Sequence, residues 1–333
     1  MNNIAVIGLG NISKRHRANL RALYPEAKIF AVSASGRMAQ EAIENADEFF
    51  SSIDDVLSYS IDMAIVASPA PYHISQASQL IKAGIPVLIE KPLSDSLESF
   101  SMDADIFLGD SQRIEVGYNL RFMPSAVELK RLIDEGLLGA IYSVSVDVGQ
   151  YLPHWRPISD YRSSVSARKE LGGGVLLELS HEIDYLLWLF GPFDTAYCLA
   201  TNTGSLDINV EDRVDAILHQ RDGLVVNLHM DFLQRRPVRT CKIVGKAGTL
   251  LWDILHNSIY FYTSQSEEKT LYSEPDYDRN IMYLEELVRF SRVAKGELKP
   301  KVDVAQALRS LRLIEALKYS SEAQQVVNIG EAM

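Results

Sequence analysis

Two glycines near the start of the chain carry the first chemistry legible in it. The apolar run Ile4-Ala5-Val6-Ile7 leads directly into Gly8-Leu9-Gly10-Asn11-Ile12-Ser13, and a helical segment follows from Lys14 to Leu23. Strand, glycine turn and helix in that order form a cradle for a dinucleotide pyrophosphate. Gly8 permits the tight turn, Gly10 lets the backbone approach the phosphates, and the N–H groups that open the helix near Asn11 and Ile12 carry partial positive charge. Ser13 stands where a third glycine usually allows close helix–strand packing, and its small side chain is expected to fit. A NAD-selective site places a carboxylate roughly 20 residues past the glycines, for the ribose 2′-hydroxyl. Here that stretch reads Ala31-Val32-Ser33-Ala34-Ser35-Gly36-Arg37. The hydroxyls of Ser33 and Ser35 and the guanidinium of Arg37 are groups that receive a 2′-phosphate. The expected coenzyme is therefore NAD(P), with NADP slightly favoured over NAD; the alternative for Arg37 is a solvated surface position.

Other residues invite functional readings of their own. Glu178 and His181 have the spacing of helical metal ligands, but bundle metal sites recruit a second such pair and the sequence has none, so no metal is expected. The stretch Tyr151–Arg168 is dense in aromatic and basic groups, among them His154, Trp155, Arg156, Tyr161 and Arg162. Aromatic faces suit sugar rings and arginines suit carboxylate or phosphate. The expected substrate is hydroxylated, neutral or anionic, such as a sugar acid or a nucleotide-linked sugar; the alternative is a surface loop clasping a neighbouring subunit. Asp231 with Arg235 and Arg236 fits either a cleft or a subunit interface. His16 falls on the buried stripe of its helix and reads as packed, as does Tyr283, while Lys14 and Arg15 read as solvated.

These residues need elements to hold them. From Ile4 to about Arg121 short apolar runs (4–7, 29–32, 63–67, 87–89) alternate with helical segments, which implies βαβ units and a parallel sheet. After Pro124 come a helix over 126–135, a strand over 141–148 and one apolar helix from about 176 to 190. Strand-like runs then follow without helices between them, at 213–219, 224–232, 239–244, 249–252 and 258–263. Helices over 280–295 and 304–319 close the chain. The fold class is α/β: a doubly wound parallel Rossmann domain over 1–122, then an α+β substrate and oligomerisation domain over 123–333 with a mostly antiparallel, open-faced sheet. The closing helices are free to pack back on the first domain.

At 333 residues, two domains are the natural count. A net charge of −11 opposes binding to nucleic acid or to an anionic membrane. The two cysteines, Cys198 and Cys241, have neither disulfide-framework nor zinc spacing. With no leader or membrane-length apolar run, the expected location is the cytoplasm.

The motifs Met63–Pro69, Tyr72-His73, Ala83-Gly84, Val87–Leu93 with its Glu90-Lys91-Pro92, Gly117–Phe122, Gly172–Glu178, His181–Asp184 and Gly245–Thr249 together resemble the glucose-fructose oxidoreductase / inositol dehydrogenase / rhizopine catabolism (Gfo/Idh/MocA) family. The resemblance runs along essentially the whole chain. It implies that Lys91 lies beside the nicotinamide and the substrate, and that His181 acts as acid/base. It adds Ser68, Pro69, His73, Glu90, Lys91 and Arg121 to the cofactor-binding set of Gly8, Gly10, Asn11, Ile12, Ser33, Ser35 and Arg37. It also implies a second-domain sheet that pairs subunits, so a homodimer or homotetramer is expected. One departure stands out: many members carry an acid four residues before the helical histidine, whereas Glu178 precedes His181 by three; that spacing still leaves both side chains on one helical face, and Glu178 stands with Lys91, His181 and Asp184 among the candidate catalytic residues.

The implied reaction moves a hydride between nicotinamide and a carbinol or ketone carbon of a sugar, sugar acid, nucleotide-linked sugar or cyclic polyol. The hydroxyl proton must leave with the hydride, and an imidazole of unperturbed pKa ~6.5 is suited to take it. Lys91, following a buried strand, can hydrogen-bond the developing alkoxide. Asp184 has three readings: orienting the imidazole, capping a neighbour, or binding substrate. Two rival functions are a non-catalytic NADP-binding regulator and a reductase of a non-sugar substrate such as a dihydrodiol or an imine.

Overall fold

The computed structural model describes residues 1–155, 160–265 and 268–330. In chain order the first elements are β1 (Asn3–Ile7), α1 (Asn11–Leu23), β2 (Lys28–Val32), β3 (Glu48–Phe50), α2 (Ile53–Val56), β4 (Met63–Val66), α3 (His73–Lys82), β5 (Val87–Glu90), α4 (Leu97–Ser101), α5 (Ala104–Gly109) and β6 (Ile114–Gly117). Next come α6 (Pro124–Asp134), β7 (Ile141–Gly149), α7 (Val175–Glu178), α8 (Ser180–Phe190), β8 (Thr195–Thr201), β9 (Arg213–His219), β10 (Val225–Asp231), β11 (Val238–Gly245), β12 (Gly248–Asp253), β13 (Ser258–Tyr262) and β14 (Glu268–Ser273). The chain closes with α9 (Asn280–Ala294), α10 (Val304–Ala323) and β15 (Val327–Asn328). It divides into two compact units, Met1–Asn119 with Asn280–Leu311, and Leu120–Arg279 with Arg312–Met333.

The first unit holds a six-stranded, wholly parallel sheet in the order β3-β2-β1-β4-β5-β6. Its strands read as nearly unbroken apolar runs because both faces are covered. Ala5, Ile7, Phe30, Val66, Val87 and Ile89 face one layer, completed by Ile74, Ala77 and Leu80 of α3 and by Val304, Ala307 and Leu308 of α10. Ile4, Val6, Ile29, Ile65 and Leu88 face the other, completed by Leu20 of α1 and by Leu287, Phe290 and Val293 of α9. Residues 280–311 group with the first unit, because the apolar stripe of α9 fills the sheet face beside α1. Strand order reverses between β1 and β4, and the carboxyl ends of the strands at such a point are where open α/β sheets bind ligands.

Two buried carboxyls in this unit carry a pH prediction. Burial pushes Glu115 on β6 up to about 7, against the charges of Arg289 and Lys301. Burial, with the charges of Glu90 and Glu115, pushes Glu286 on α9 well above its ordinary value. Such an acid keeps in the folded state a proton that the unfolded chain has already released. Through the Glu115 group, stability is therefore lost as pH rises from about 4.5 to about 7. Glu115→Gln is expected to remove this loss, on the order of 3 kcal/mol. Thermal melts should show the variant gaining on the wild type at pH 8 and not at pH 4; equal shifts at both would contradict the argument.

The second unit is built on a nine-stranded sheet ordered β14-β13-β12-β11-β7-β10-β9-β8-β15. All its pairings are antiparallel except β7 with β10. Alternation in the central strands is clean: Val214, Ala216 and Leu218 of β9 and Val226, Leu228 and Met230 of β10 are buried. Asp215, Ile217, Asn227 and His229 point the other way and line a shallow hollow of about 300 Å³ on the sheet's opposite face. Five strands escape sequence reading: β3, β6, β8, β14 and β15. β3 and β15 have three and two residues, and β14 is largely exposed, so none of these three shows an apolar period. The single helix expected over 176–190 is in fact two, interrupted at Leu179 (φ −97°, ψ 27°). Among the described residues no helix is long and apolar enough to cross a membrane.

Candidate active site

The glycine turn is sterically enforced. Gly8 has φ +111°, and a Cβ there would lie 2.5 Å from the Ala67 carbonyl oxygen and 2.7 Å from Ser13 Oγ. Ser13, fully buried, donates from Oγ to that same Ala67 oxygen at 2.8 Å, so a serine serves in the position of the third glycine. Over Gly10 a Cβ would meet nothing within 4 Å. Helix α1 begins there with no side-chain cap and no acid in its first turn. An uncapped helix start with open space above it, at the strand-order reversal, fits a dinucleotide pyrophosphate.

Around this turn the first unit supplies a rim. After β2, Ser33 is buried, and Arg37 is exposed with Nε 3.3 Å from Ser35 Oγ. After β4 come Ser68 and Pro69, then His73 at the start of α3. His73 is 1% exposed, with Nε2 2.8 Å from the Ser68 carbonyl oxygen and Nδ1 2.8 Å from that of Pro92. At the end of β5, Glu90 is buried with Oε1 2.7 Å from His16 Nε2, while Oε2 accepts from the Lys91 backbone N–H at 3.2 Å. Burial alone would raise the Glu90 pKa. The hydrogen bond and charge of His16, together with Lys91 and His73, outweigh it and hold the carboxyl below its usual value. His16 is thus packed, and it ties α1 to the residue preceding Lys91.

Sequence reasoning passed over Arg17. It is buried under the glycine turn and donates to the carbonyl oxygens of Glu44 (3.0 Å) and Gly8 (3.4 Å). The available signal was its position four residues after Ser13, on the same helical face. Arg15 and Tyr283 also play a part not foreseen, the guanidinium lying 4.6 Å from the ring centroid.

In the second unit the triple glycine has a packing reason. A Cβ on Gly173 would lie 2.4 Å from the Val165 carbonyl oxygen, and one on Gly174 (φ +103°) 2.5 Å from the Glu211 carboxylate. Glu211 also accepts from the Leu176 N–H at 3.0 Å, capping α7. The break at Leu179 puts Glu178 at the end of α7 and His181 in the first turn of α8, so they do not share one continuous helix as their spacing had implied. His181 is half-buried. Asp184 joins Arg121 in a two-pronged ion pair, at 2.9 Å to Nε and 2.7 Å to Nη2, and the two side chains are 2% and 5% exposed. The guanidinium also lies over the Trp188 ring at 5.6 Å. Arg121, read as cofactor-binding, is thus an ion-pair partner of Asp184. A second pair, between half-buried Arg239 Nε and buried Glu182 Oε1 at 2.6 Å, was not anticipated.

The expected substrate residues are scattered over several local contacts. Trp155 donates from Nε1 to the Gln150 carbonyl and sets its ring edge-on to Phe232. His154, exposed, packs edge-on against Tyr151, whose other contact is the Arg235 guanidinium, 3.5 Å from the ring centroid. Arg162 is exposed and grips Asp160 at 2.8 Å and Asp207 at 3.4 Å; Tyr161 Oη accepts from the Asp207 N–H. Arg156 lies outside the described residues. Asp231 caps the turn after β10 through the N–H groups of Leu233 and Gln234, and binds His229, which its hydrogen bond and that of Asp215 push up to about 9. Among the described residues no cluster of three or more His, Cys, Asp or Glu could hold a metal ion.

Residues 2–118 match the family described as "Oxidoreductase family, NAD-binding Rossmann fold", and residues 126–251 match "GFO/IDH/MocA C-terminal domain". The chain belongs to the Gfo/Idh/MocA family. Within the family it is similar to the rhizopine catabolism protein MocA of Rhizobium meliloti, at 25% identity over 64% of this chain and 65% of the relative. It is also similar to inositol 2-dehydrogenase 2 of Saccharopolyspora erythraea, at 32% identity over 68% and 66%. The matched stretch thus spans slightly under two thirds of these curated relatives. Among solved structures, levoglucosan dehydrogenase in complex with NADH shares the fold with a TM-score of 0.84 at 19% identity, covering 98% of this chain and 99% of that one. The WlbA dehydrogenase of Bordetella pertussis, in complex with NADH and UDP-GlcNAcA, has a TM-score of 0.80 at 23% identity and covers 98% of each chain. In this Gfo/Idh/MocA chain the two family matches end before residue 280, and the segment 280–311 that completes the first unit lies beyond them.

Proposed function

We propose that the protein is an NAD(P)-dependent dehydrogenase or reductase acting on the CH–OH or ketone carbon of a sugar, sugar acid, nucleotide-linked sugar or cyclic polyol. The observation that carries the reading is the uncapped, sterically enforced glycine turn at the strand-order reversal, with Lys91 at the carboxyl end of β5 on the same sheet edge. The relatives named above as inositol and levoglucosan dehydrogenases support the substrate class.

A dinucleotide bound at this edge supplies the hydride acceptor or donor. Gly8, Gly10 and the first turn of α1 bind its pyrophosphate through backbone N–H groups. His181 takes the hydroxyl proton as hydride leaves and returns it in the reverse direction. The Lys91 ammonium hydrogen-bonds the oxygen on which negative charge develops, so its stabilisation is greatest in the transition state. Glu90, carrying its charge beside His16, holds the backbone at Lys91 through the Oε2 contact.

The test is a panel assay. With NAD+ and NADP+ offered against inositols, hexoses, anhydrosugars and nucleotide-linked hexuronates, one substrate class should drive coenzyme reduction at least tenfold above the rest. Tight coenzyme binding with no turnover on any of them would favour the regulator instead. For the coenzyme itself, the exposed Arg37 and the hydroxyls of Ser33 and Ser35 support the slight preference for NADP. Calorimetry on Arg37→Ala is expected to weaken NADP+ about tenfold, the worth of one charge-assisted hydrogen bond, and to leave NAD+ within about threefold. Equal losses for both would remove the 2′-phosphate assignment. The open sheet face, where Leu199 and Ile217 are 39% and 48% exposed, supports pairing with further copies into a homodimer or homotetramer.

A further inference from the structure

One side chain on the coenzyme edge has a hydrogen-bonding pattern that a neutral ring cannot satisfy. His73 Nδ1 faces the Pro92 carbonyl oxygen and Nε2 the Ser68 carbonyl oxygen, each at 2.8 Å, in a site where the residue is 1% exposed. A carbonyl oxygen only accepts. A neutral imidazole has one N–H and one lone pair, so one of these contacts would set two lone pairs against each other. Both are hydrogen bonds only when the ring is an imidazolium.

The ring also closes a longer chain. Ser68 Oγ donates to Gln76 Oε1 at 2.7 Å, and Gln76 Nε2 donates to the Ala34 carbonyl oxygen at 3.0 Å. His73 and Gln76, three residues apart on α3, thus tie together the segments following β2, β4 and β5. Those segments lie at the carboxyl edge of the sheet, where open α/β sheets bind their ligands and where the segment after β2 faces the ribose of a dinucleotide. Because both ring nitrogens are engaged within the protein, His73 acts on the coenzyme through Ser68 and Pro92.

We propose that His73 is a positioning residue whose doubly protonated ring clamps the loops after β4 and β5 at the spacing that receives the dinucleotide, so that coenzyme affinity is linked to one proton on this buried imidazole. The charged groups acting on the ring are Glu90, which favours the imidazolium, and Lys91, which opposes it. Burial outweighs the two carbonyls and Glu90, placing the titration below the ordinary histidine value. The clamp is therefore complete only below that titration, and its second tether is lost as pH rises through it.

The inference rests on the dinucleotide reading, and the test separates the two. NAD+ and NADP+ affinities are measured by calorimetry from pH 5 to 8 for wild type and His73→Gln, whose amide donates without titrating. In parallel the ring of 15N-histidine-labelled wild type is titrated by NMR, with the variant assigning its signal. Wild-type affinity should fall about tenfold as pH rises, with the midpoint of the ring titration, while His73→Gln shows no such step and kcat keeps its own pH profile. A ring that is neutral throughout, or a step of the same size in His73→Gln, would overturn the clamp while leaving dinucleotide binding intact. Wild type that binds no dinucleotide at any pH would overturn both. If the variant fails to fold, the ring titration and affinity profile of the wild type still decide, since midpoints more than one pH unit apart refute the linkage.

Discussion

Lys91→Met is expected to lower kcat/KM by about 10²–10³-fold while coenzyme affinity changes by less than about threefold. The substitution keeps the length and the apolar stem and deletes the ammonium, so the loss falls on charge that exists only in the transition state. His181→Asn should cost about 10²–10⁴-fold in kcat, because the asparagine amide cannot accept the hydroxyl proton. It should also abolish the acid limb of the pH–rate profile for alcohol oxidation, which in wild type reports protonation of the base. The check is steady-state kinetics with the substrate found by the panel, alongside coenzyme binding by fluorescence. Should Lys91→Met bind coenzyme normally and turn over at the wild-type rate, the role given to the ammonium is wrong. Should His181→Asn keep the acid limb, another group is the base.

The second large effect concerns stability. Arg121 and Asp184 are 5% and 2% exposed and joined by two short bonds. Removing either partner strips the remaining buried charge of its two-pronged counter-ion, which costs about 3–5 kcal/mol, a large fraction of the stability of an ordinary domain. Asp184→Ala and Arg121→Leu should each lower the free energy of unfolding by that much. The double variant Arg121→Leu/Asp184→Leu should recover most of the loss, because two apolar side chains leave no orphan charge. Denaturant titrations of the four proteins form a cycle. Losses that simply add would mean that the pair is not coupled as its geometry requires.

Much of this molecule was legible in its residues, and the legible part is local. Ile4–Ile7, Met63–Val66 and Val87–Glu90 announce buried strands because every residue in them faces a covered layer, and Gly8 announces a turn that only glycine can make against Ala67. The strand-like runs that became β9 through β13 were legible to within one residue at each end, and burial alternates along β9. Alternation is set by which face of a strand meets the core, and it is written into neighbouring residues. The Glu90-Lys91-Pro92 and Gly172-Gly173-Gly174 motifs marked the candidate site only in combination and through the family resemblance, not through a pattern local to either.

What only the tertiary structure decided are partnerships across long stretches of chain. His16 meets Glu90 across 74 positions, and Arg121 meets Asp184 across 63. No period links such residues, since each pairing exists only because folding brings two distant segments together. The placing of β7 between β10 and β11, the return of α9 to the first unit and the two carbonyls on His73 belong to the same class. The break at Leu179 does as well, since intrinsic helical preference is a matter of tenths of a kcal/mol per residue and packing overrides it. Elements, then, are encoded by local pattern, whereas the protonation and pairing of the groups between them are decided by which elements become neighbours.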